Sequence, residues 1–243
     1  MSTSAGVHIR EDLAAAHARA WQRVAAPGTW WTGVERVAIA GEARRAASCR
    51  LCRERKAALS PEAVSGSHDN LGALPDPAID AIHRIRSDPG RLTRTWLTRV
   101  LAAGLTVEQY VEIVDVVAEV VAIDTFAHGM GIALTGLPGP VVGPPTRRRP
   151  KGARLGGAWV PWLELEDASP EEATMYPAGR PPANIYKAMS LVPAAVHGFF
   201  DLTVHQYLPG AAMRDFSREY RAISHAQIEL LAGRVSAINR CLY

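Results

Sequence analysis

Apolar residues recur at three- and four-residue steps along most of the chain, the spacing that places side chains on one face of an α-helix. A first helix is predicted over residues 8–26, where Pro27 and Gly28 end it. The same spacing predicts further helices over 34–47, 79–85, 92–103, 184–191, 193–206 and 224–239. A helix or turn starting near Ser48 is expected to carry Cys49 and Cys52. These patterns predict an all-α protein.

The most apolar helix pattern runs from Val107 to Phe126, after a capping-box sequence formed by Thr106 and Gln109. Only a narrow polar face interrupts its valines and isoleucines, consisting of Glu112, Asp115, Glu119 and Asp124. A helix of this kind is usually buried in a bundle or between subunits. It therefore predicts a homo-oligomer.

A segment of different composition, residues 136–183, separates the two helical regions. Its stretch 136–182 holds ten of the 17 prolines. Such a composition is typical of a linker that follows the protein surface. Trp159, Pro161 and Trp162 indicate that packing anchors part of it.

The composition excludes several classes of protein. A hydrophobic fraction of 48% and a charged fraction of 21% allow a sizeable core. The net charge of +3 is too balanced to predict a nucleic-acid partner. No segment approaches the roughly eighteen apolar residues of a membrane span, so a cytoplasmic protein without a membrane partner is expected. Three cysteines are too few for a disulfide framework.

Cys49 and Cys52 carry the clearest chemistry, because a three-residue step places both sulfurs on one face of a helix. Basic neighbours and a helix N-terminus both favour the thiolate. A thiolate can attack a hydroperoxide, and a second thiol can then close a disulfide. The sequence predicts this reversible disulfide at Cys49 and Cys52.

Two other interpretations of the cysteine pair stay open. Both cysteines could be inert and buried, or they could bind zinc. A structural zinc site needs four ligands, and the sequence offers no second cysteine pair. No metal and no cofactor are therefore predicted, and His68 and His225 are expected to be exposed.

A second cysteine motif occurs near the end of the printed sequence, where eleven residues separate Glu229 from Cys241. This spacing resembles the start of the E-x11-C-x-x-C-x-x-x-H signature of the AhpD-like alkylhydroperoxidases, in the carboxymuconolactone decarboxylase superfamily. Aligning Cys49 with Cys241 also pairs 39–41 with 231–233 and keeps the amphipathic phase. The resemblance implies two AhpD-like units, 1–135 and 184–243, joined by the linker 136–183.

The resemblance also implies roles for these residues. In the family, the glutamate acts as base or proton relay, the second cysteine attacks the peroxide, the first resolves it, and the histidine completes the relay. The first unit has Val37 and Lys56 where the family has glutamate and histidine, so it keeps the thiols without that relay. In the second unit Glu229 and Cys241 fit the pattern, and the sequence stops at Tyr243, one position before the second redox residue. The expectation is that the natural protein continues through selenocysteine.

The resemblance implies a thiol- or selenol-dependent peroxidase that acts on a hydroperoxide or disulfide and is re-reduced by a thiol protein or small thiol. The candidate catalytic residues are Cys49, Cys52, Glu229 and Cys241. A cofactor-free enzyme resembling the carboxymuconolactone decarboxylases is one alternative. A non-catalytic oligomeric scaffold or redox-sensing module is another.

Overall fold

The regular structure of this chain is helical throughout the described part, which in the computed structural model comprises residues 8–179 and 181–238. The α-helices are α1 Glu11–Ala25, α2 Gly33–Ala46, α3 Arg50–Ala57, α4 Asp76–Ser87, α5 Arg94–Ala102, α6 Val107–Gly129, α7 Asn184–Lys187, α8 Pro193–Gln206 and α9 His225–Ile238. Over these residues the only β-type pairing is an isolated antiparallel bridge between Arg154 and Trp162. The predicted all-α class is confirmed.

Helix α6 is the centre of the bundle, and α1, α2, α4 and α8 pack around it. Its predicted capping box is present, with the Thr106 hydroxyl accepting from the Gln109 amide and the Gln109 side chain accepting from the Thr106 amide. Most of its apolar side chains are buried, among them Ile113 and Val116 at 0% exposure, whereas Val114 and Val121 are partly buried. The apolar surface of α6 is thus largely covered within one chain, and the homo-oligomer stays a prediction.

The polar face of α6 is also largely buried, which the sequence pattern did not predict. Glu112, Asp115 and Glu119 are each at most 4% exposed. Arg36 from α2 pairs with Glu112 and lies 3.5 Å from Asp115, while Arg23 from α1 bonds Glu119. Because a buried charge is costly unless it is paired, these pairs favour one arrangement of α1, α2 and α6.

The proline-rich segment lies against the bundle rather than apart from it. Leu163, Met175 and Tyr176 belong to the main core, whereas Trp159 is 42% exposed. The Tyr176 hydroxyl donates to the Leu163 carbonyl, which closes the segment on itself. The main core extends from Ala16 to Leu202, across the predicted unit boundaries. Those boundaries stay a prediction.

Two helices pack outside this core. Helix α3 buries only Leu51 and Cys52, which form a small separate cluster with Cys49 and the half-buried Val64. Helix α9 buries only His225 and Ile228, and Ile228 packs with a second small cluster that includes Leu208. Among the described residues, no helix combines the length and apolar character needed to cross a bilayer.

Candidate functional site

Four sulfur- and nitrogen-bearing side chains meet where α3 packs against α4. They are Cys49 and Cys52 at the start of α3, His68 in the loop before α4, and His83 within α4. One sulfur or ring nitrogen from each lies within 4.8 Å of the other three. Cys49, Cys52 and His83 are at most 3% exposed, and the His68 side chain is 8% exposed. The site is therefore almost closed to solvent.

The local backbone explains why both thiols face the same way. Cys49 itself, not the expected Ser48, is the N-cap of α3, so Cys52 lies in the first helical turn. The Ser48 hydroxyl instead donates to the carbonyl of Arg45. The Arg50 amide at the helix start donates to Asp69 at 2.7 Å, which ties α3 to the loop that carries His68. A helix N-terminus favours negative charge, so this position supports a Cys49 thiolate.

Each sulfur contacts a ring nitrogen. His68 Nδ1 lies 3.6 Å from both Cys49 Sγ and Cys52 Sγ. His83 Nδ1 lies 3.2 Å from Cys52 Sγ. Both cysteines are free thiols. Cys52 is consequently flanked by two imidazoles, and Cys49 by one.

A carboxylate holds the far nitrogen of each histidine. His68 Nε2 lies 3.0 Å from Asp80 Oδ1, and His83 Nε2 lies 2.7 Å from Glu42 Oε1. Asp80 also accepts from Trp96 Nε1 and Arg55. Such a partner fixes the orientation and tautomer of an imidazole. Both Nδ1 atoms are thereby directed at the sulfurs.

The charges of the site follow from these contacts. Burial alone would lower the pKa of His68, but its bonds to Asp80 and to the two cysteines raise that pKa to about 10. Burial opposes ionisation of Cys49, yet hydrogen bonds from the Cys52 amide and His68 bring its pKa below the usual value. Burial lowers the pKa of His83 against the opposing effect of Glu42. At neutral pH, His68 is an imidazolium and His83 a neutral imidazole.

A cavity of about 320 Å³ gives access to Cys52. Its charged lining residues are all basic, namely Arg53, Lys56 and Arg86. Cys49 is 0% exposed and does not line this cavity. A reagent from solvent would therefore meet Cys52 first, in a region of positive potential.

Of the four candidate residues from the sequence, the structure brings together Cys49 and Cys52. Glu229 is separate from this cluster: it accepts a hydrogen bond from the Tyr207 hydroxyl at 2.6 Å and lies 3.5 Å from His225 Nε2. Its side chain is 45% exposed. Cys241 lies outside the described residues, so its predicted role stays a prediction.

The sequence did not indicate the positions of His68 and His83 in the site. His68 was expected to be exposed, and so was His225, yet the His68 side chain is 8% exposed and His225 is 4% exposed. His83 falls within the apolar stripe of α4, and the sequence analysis assigned it no role. The expectation of no metal site rested on the lack of a second cysteine pair, whereas two histidines complete a set of four candidate ligands. The only signal was the order of the residues, Cys-x2-Cys-x15-His-x14-His.

Comparisons with protein-family models, with curated proteins and with solved structures give no match to this chain. The resemblance to the AhpD-like alkylhydroperoxidases therefore stays an expectation from the motif.

Proposed function

We propose that the chain is a dithiol oxidoreductase that reduces hydroperoxides through Cys52 and Cys49. The observation that carries this proposal is the contact of Cys52 Sγ with His83 Nδ1 at 3.2 Å, with Glu42 behind the same imidazole at 2.7 Å. A carboxylate-backed histidine beside a thiol is the arrangement that activates a nucleophile. The two sulfurs lie within 4.8 Å of one another, which supports the second, disulfide-forming step.

Glu42, His83 and Cys52 form a proton relay of the residue types found in the AhpD-like signature, but the glutamate and the histidine occupy other sequence positions. Val37 and Lys56 occupy the positions where that signature has glutamate and histidine. Glu42 on α2 and His83 on α4 instead supply a carboxylate and an imidazole to Cys52. The proposal includes the two-unit AhpD-like organisation, with 1–135 as the unit that contains this relay.

The proposed reaction has two steps. His83 accepts the Cys52 proton, and the thiolate attacks the distal oxygen of the hydroperoxide, so that the O–O bond breaks and Cys52 becomes a sulfenic acid. The leaving alkoxide takes the proton that His83 received and departs as the alcohol. The Cys49 thiolate then attacks the Cys52 sulfur, which closes the disulfide and releases hydroxide; this takes a proton from the His68 imidazolium and leaves as water. An external thiol reductant restores both thiols.

The surroundings of Cys52 support this order of attack. Cys52 lines the basic cavity and Cys49 does not. Arg53, Lys56 and Arg86 favour negative charge there, which stabilises the thiolate and the leaving alkoxide. The imidazolium of His68 contacts both sulfurs and stabilises whichever one is ionised.

The test is oxidation of the reduced, metal-free protein by a stoichiometric organic hydroperoxide, followed by mass mapping and turnover with a thiol reductant. We expect a Cys49–Cys52 disulfide in the native sequence, a trappable sulfenic acid on Cys52 in Cys49→Ser, and no turnover in Cys52→Ser. Cys241→Ser is the matched thiol control and should still form the disulfide. The proposal is wrong if Cys49 and Cys52 stay reduced, or if turnover depends on Cys241 alone.

A further inference from the structure

We propose that Cys49, Cys52, His68 and His83 bind one divalent metal ion of the zinc class. This inference goes beyond the proposed function, because binding requires no turnover and no hydroperoxide. The four side chains approach one another from three parts of the chain: the start of α3, the loop before α4, and α4 itself.

The distances between the ligand atoms suit a tetrahedral ion. Zinc bonds of about 2.3 Å to sulfur and about 2.0–2.1 Å to nitrogen imply a sulfur–nitrogen edge of about 3.6 Å in a regular tetrahedron. The sulfur–nitrogen separations in the structure are 3.6 Å for Cys49–His68, 3.6 Å for Cys52–His68 and 3.2 Å for Cys52–His83. The remaining separations among the four ligand atoms are at most 4.8 Å, so small movements of the side chains would bring all four atoms to one ion.

The ligand types and their charges select the metal. Two thiolates neutralise a 2+ ion, and two neutral imidazoles complete the coordination. Sulfur and imidazole ligands favour zinc over the oxygen-seeking magnesium and calcium. His68 has to give up its proton to bind the ion, so binding releases protons.

The hydrogen bonds that hold the two histidines are also typical of a metal centre. Metal-binding histidines commonly donate the second ring N–H to a carboxylate, as Asp80 and Glu42 would accept it here. Glu42 also accepts the Leu71 amide at 3.0 Å, which secures the loop between His68 and α4. These carboxylates would hold both imidazoles in the orientation that an ion requires.

The position of the site gives the ion a structural consequence. No residue of helix α3 belongs to the main core. The buried residues of the small cluster at α3 are Cys49, Leu51 and Cys52. One metal ion would join α3 and the His68 loop to α4 where little apolar burial does so. Structural zinc sites contribute folding free energy in this way.

Metal binding and the proposed redox chemistry use the same sulfurs, so the two states exclude one another. A disulfide has no thiolate to offer the ion, and an ion that occupies both thiolates shields them from alkylation. The dithiol would then be available only in the metal-free protein. Separate measurements can therefore distinguish failure of the metal proposal from failure of the redox proposal.

The experiment uses the reduced, metal-free chain and titrates it with zinc or cobalt(II). We expect one equivalent to bind. Cobalt should give the intense absorption of a tetrahedral site together with a thiolate charge-transfer band. Zinc should also lower the rate at which an alkylating reagent modifies Cys49 and Cys52, by at least tenfold, as located by mass mapping. This last measurement needs no variant and does not depend on peroxidase activity.

Single variants locate the ion. Cys49→Ser and His68→Gln should each abolish the tetrahedral cobalt spectrum, with folding checked by circular dichroism. His128→Ala is the matched control, since His128 is exposed and outside the cluster. An octahedral cobalt spectrum, unchanged alkylation, or binding that survives Cys49→Ser and His68→Gln would overturn the proposal. Metal binding without hydroperoxide-driven disulfide formation would support this inference alone.

Discussion

At the scale of single residues, the reactivity of the two thiols depends on carboxylates that act on them through a histidine. Glu42 is 1% exposed and reaches Cys52 only through His83. Burial of a carboxylate without a partner is costly, so its bond to His83 fixes both side chains. We therefore regard Glu42 as a positioning residue of the site.

Glu42→Gln tests this role. The amide keeps the size and the hydrogen-bond acceptor but loses the charge that makes His83 a better base and a better ligand. We expect zinc affinity to fall about 10–100-fold, the range found for partners of ligating histidines, and disulfide formation by hydroperoxide to slow. Competition with a chromogenic chelator measures the affinity.

The matched control for that variant is Glu54→Gln. Glu54 is on α3, its side chain is 44% exposed, and it pairs only with Arg50 among the contacts described. The zinc affinity and thiol reactivity of Glu54→Gln should equal those of the native sequence. Equal affinity in Glu42→Gln and Glu54→Gln would contradict a positioning role.

At the scale of elements, α6 combines a buried apolar surface with a buried polar face. Asp115 faces Arg36 from α2 at 3.5 Å and shares its helix with Glu112 and Glu119. Burial and the neighbouring carboxylates raise the pKa of Asp115 to about 8, against the opposing charges of Arg36 and Arg23. The folded chain therefore retains a proton on Asp115 at neutral pH.

Because the folded chain retains the Asp115 proton at neutral pH, we expect the free energy of unfolding to depend on pH. The unfolded chain releases this proton near the ordinary aspartate pKa of about 3.9, whereas the folded chain retains it up to about pH 8. Between these values the folded state binds more protons, so the free energy of unfolding falls as pH rises. Asp115→Asn cannot titrate and should lose less stability between pH 5 and pH 8.

Urea denaturation of both proteins at the two pH values measures the difference. His68 and His83 are present in both proteins, so their titration cancels in the comparison. An Asp115→Asn protein with the same loss of stability as the native sequence would show that Asp115 is ionised in the folded state.

Most elements were predictable because their signals are local. The 3.6-residue apolar period predicted α1, α2, α5, α6 and α8 to within about two to three residues at each end, a normal margin for helix boundaries. The Thr106–Gln109 capping box was predicted for the same reason. The N-cap of α3 was misplaced by one residue, because Asp69 rather than a local serine binds the helix start.

The complete site was not predictable, because it depends on contacts between distant positions. Cys49 and Cys52 are close in sequence, but His68 comes from a loop and His83 from another helix. In a sequence, a histidine within an apolar stripe looks the same whether it faces a core or a thiol. Glu42 likewise gives no local signal of its role, because its contact with His83 forms only when α4 packs against α2.

At the scale of the whole molecule, the assembly state is still a prediction. The apolar face of α6, which motivated it, is largely buried within the chain. Helix α9 instead presents four exposed apolar residues, which are Leu230, Leu231, Val235 and Ile238. Contiguous exposed apolar surface is typical of interaction sites, so this surface keeps the homo-oligomer as the expected outcome.

Light scattering over a micromolar range of concentrations measures the mass. We expect at least twice the 26.2 kDa of one chain. Leu231→Glu with Val235→Glu should lower that mass if α9 forms the contact, whereas Leu59→Glu, at another exposed apolar position, should not. A monomer mass at all concentrations would refute the expectation.

The sparse packing of α9 also has a consequence for local opening. Among the described residues of this helix only His225 and Ile228 are buried, and Ile228 packs in a cluster separate from the main core. Regions with few buried apolar contacts open at a lower free energy than the global unfolding transition. In a single chain, the α9 amides should exchange with solvent deuterons well before those of α6, and a protease should cut there while the bundle stays folded.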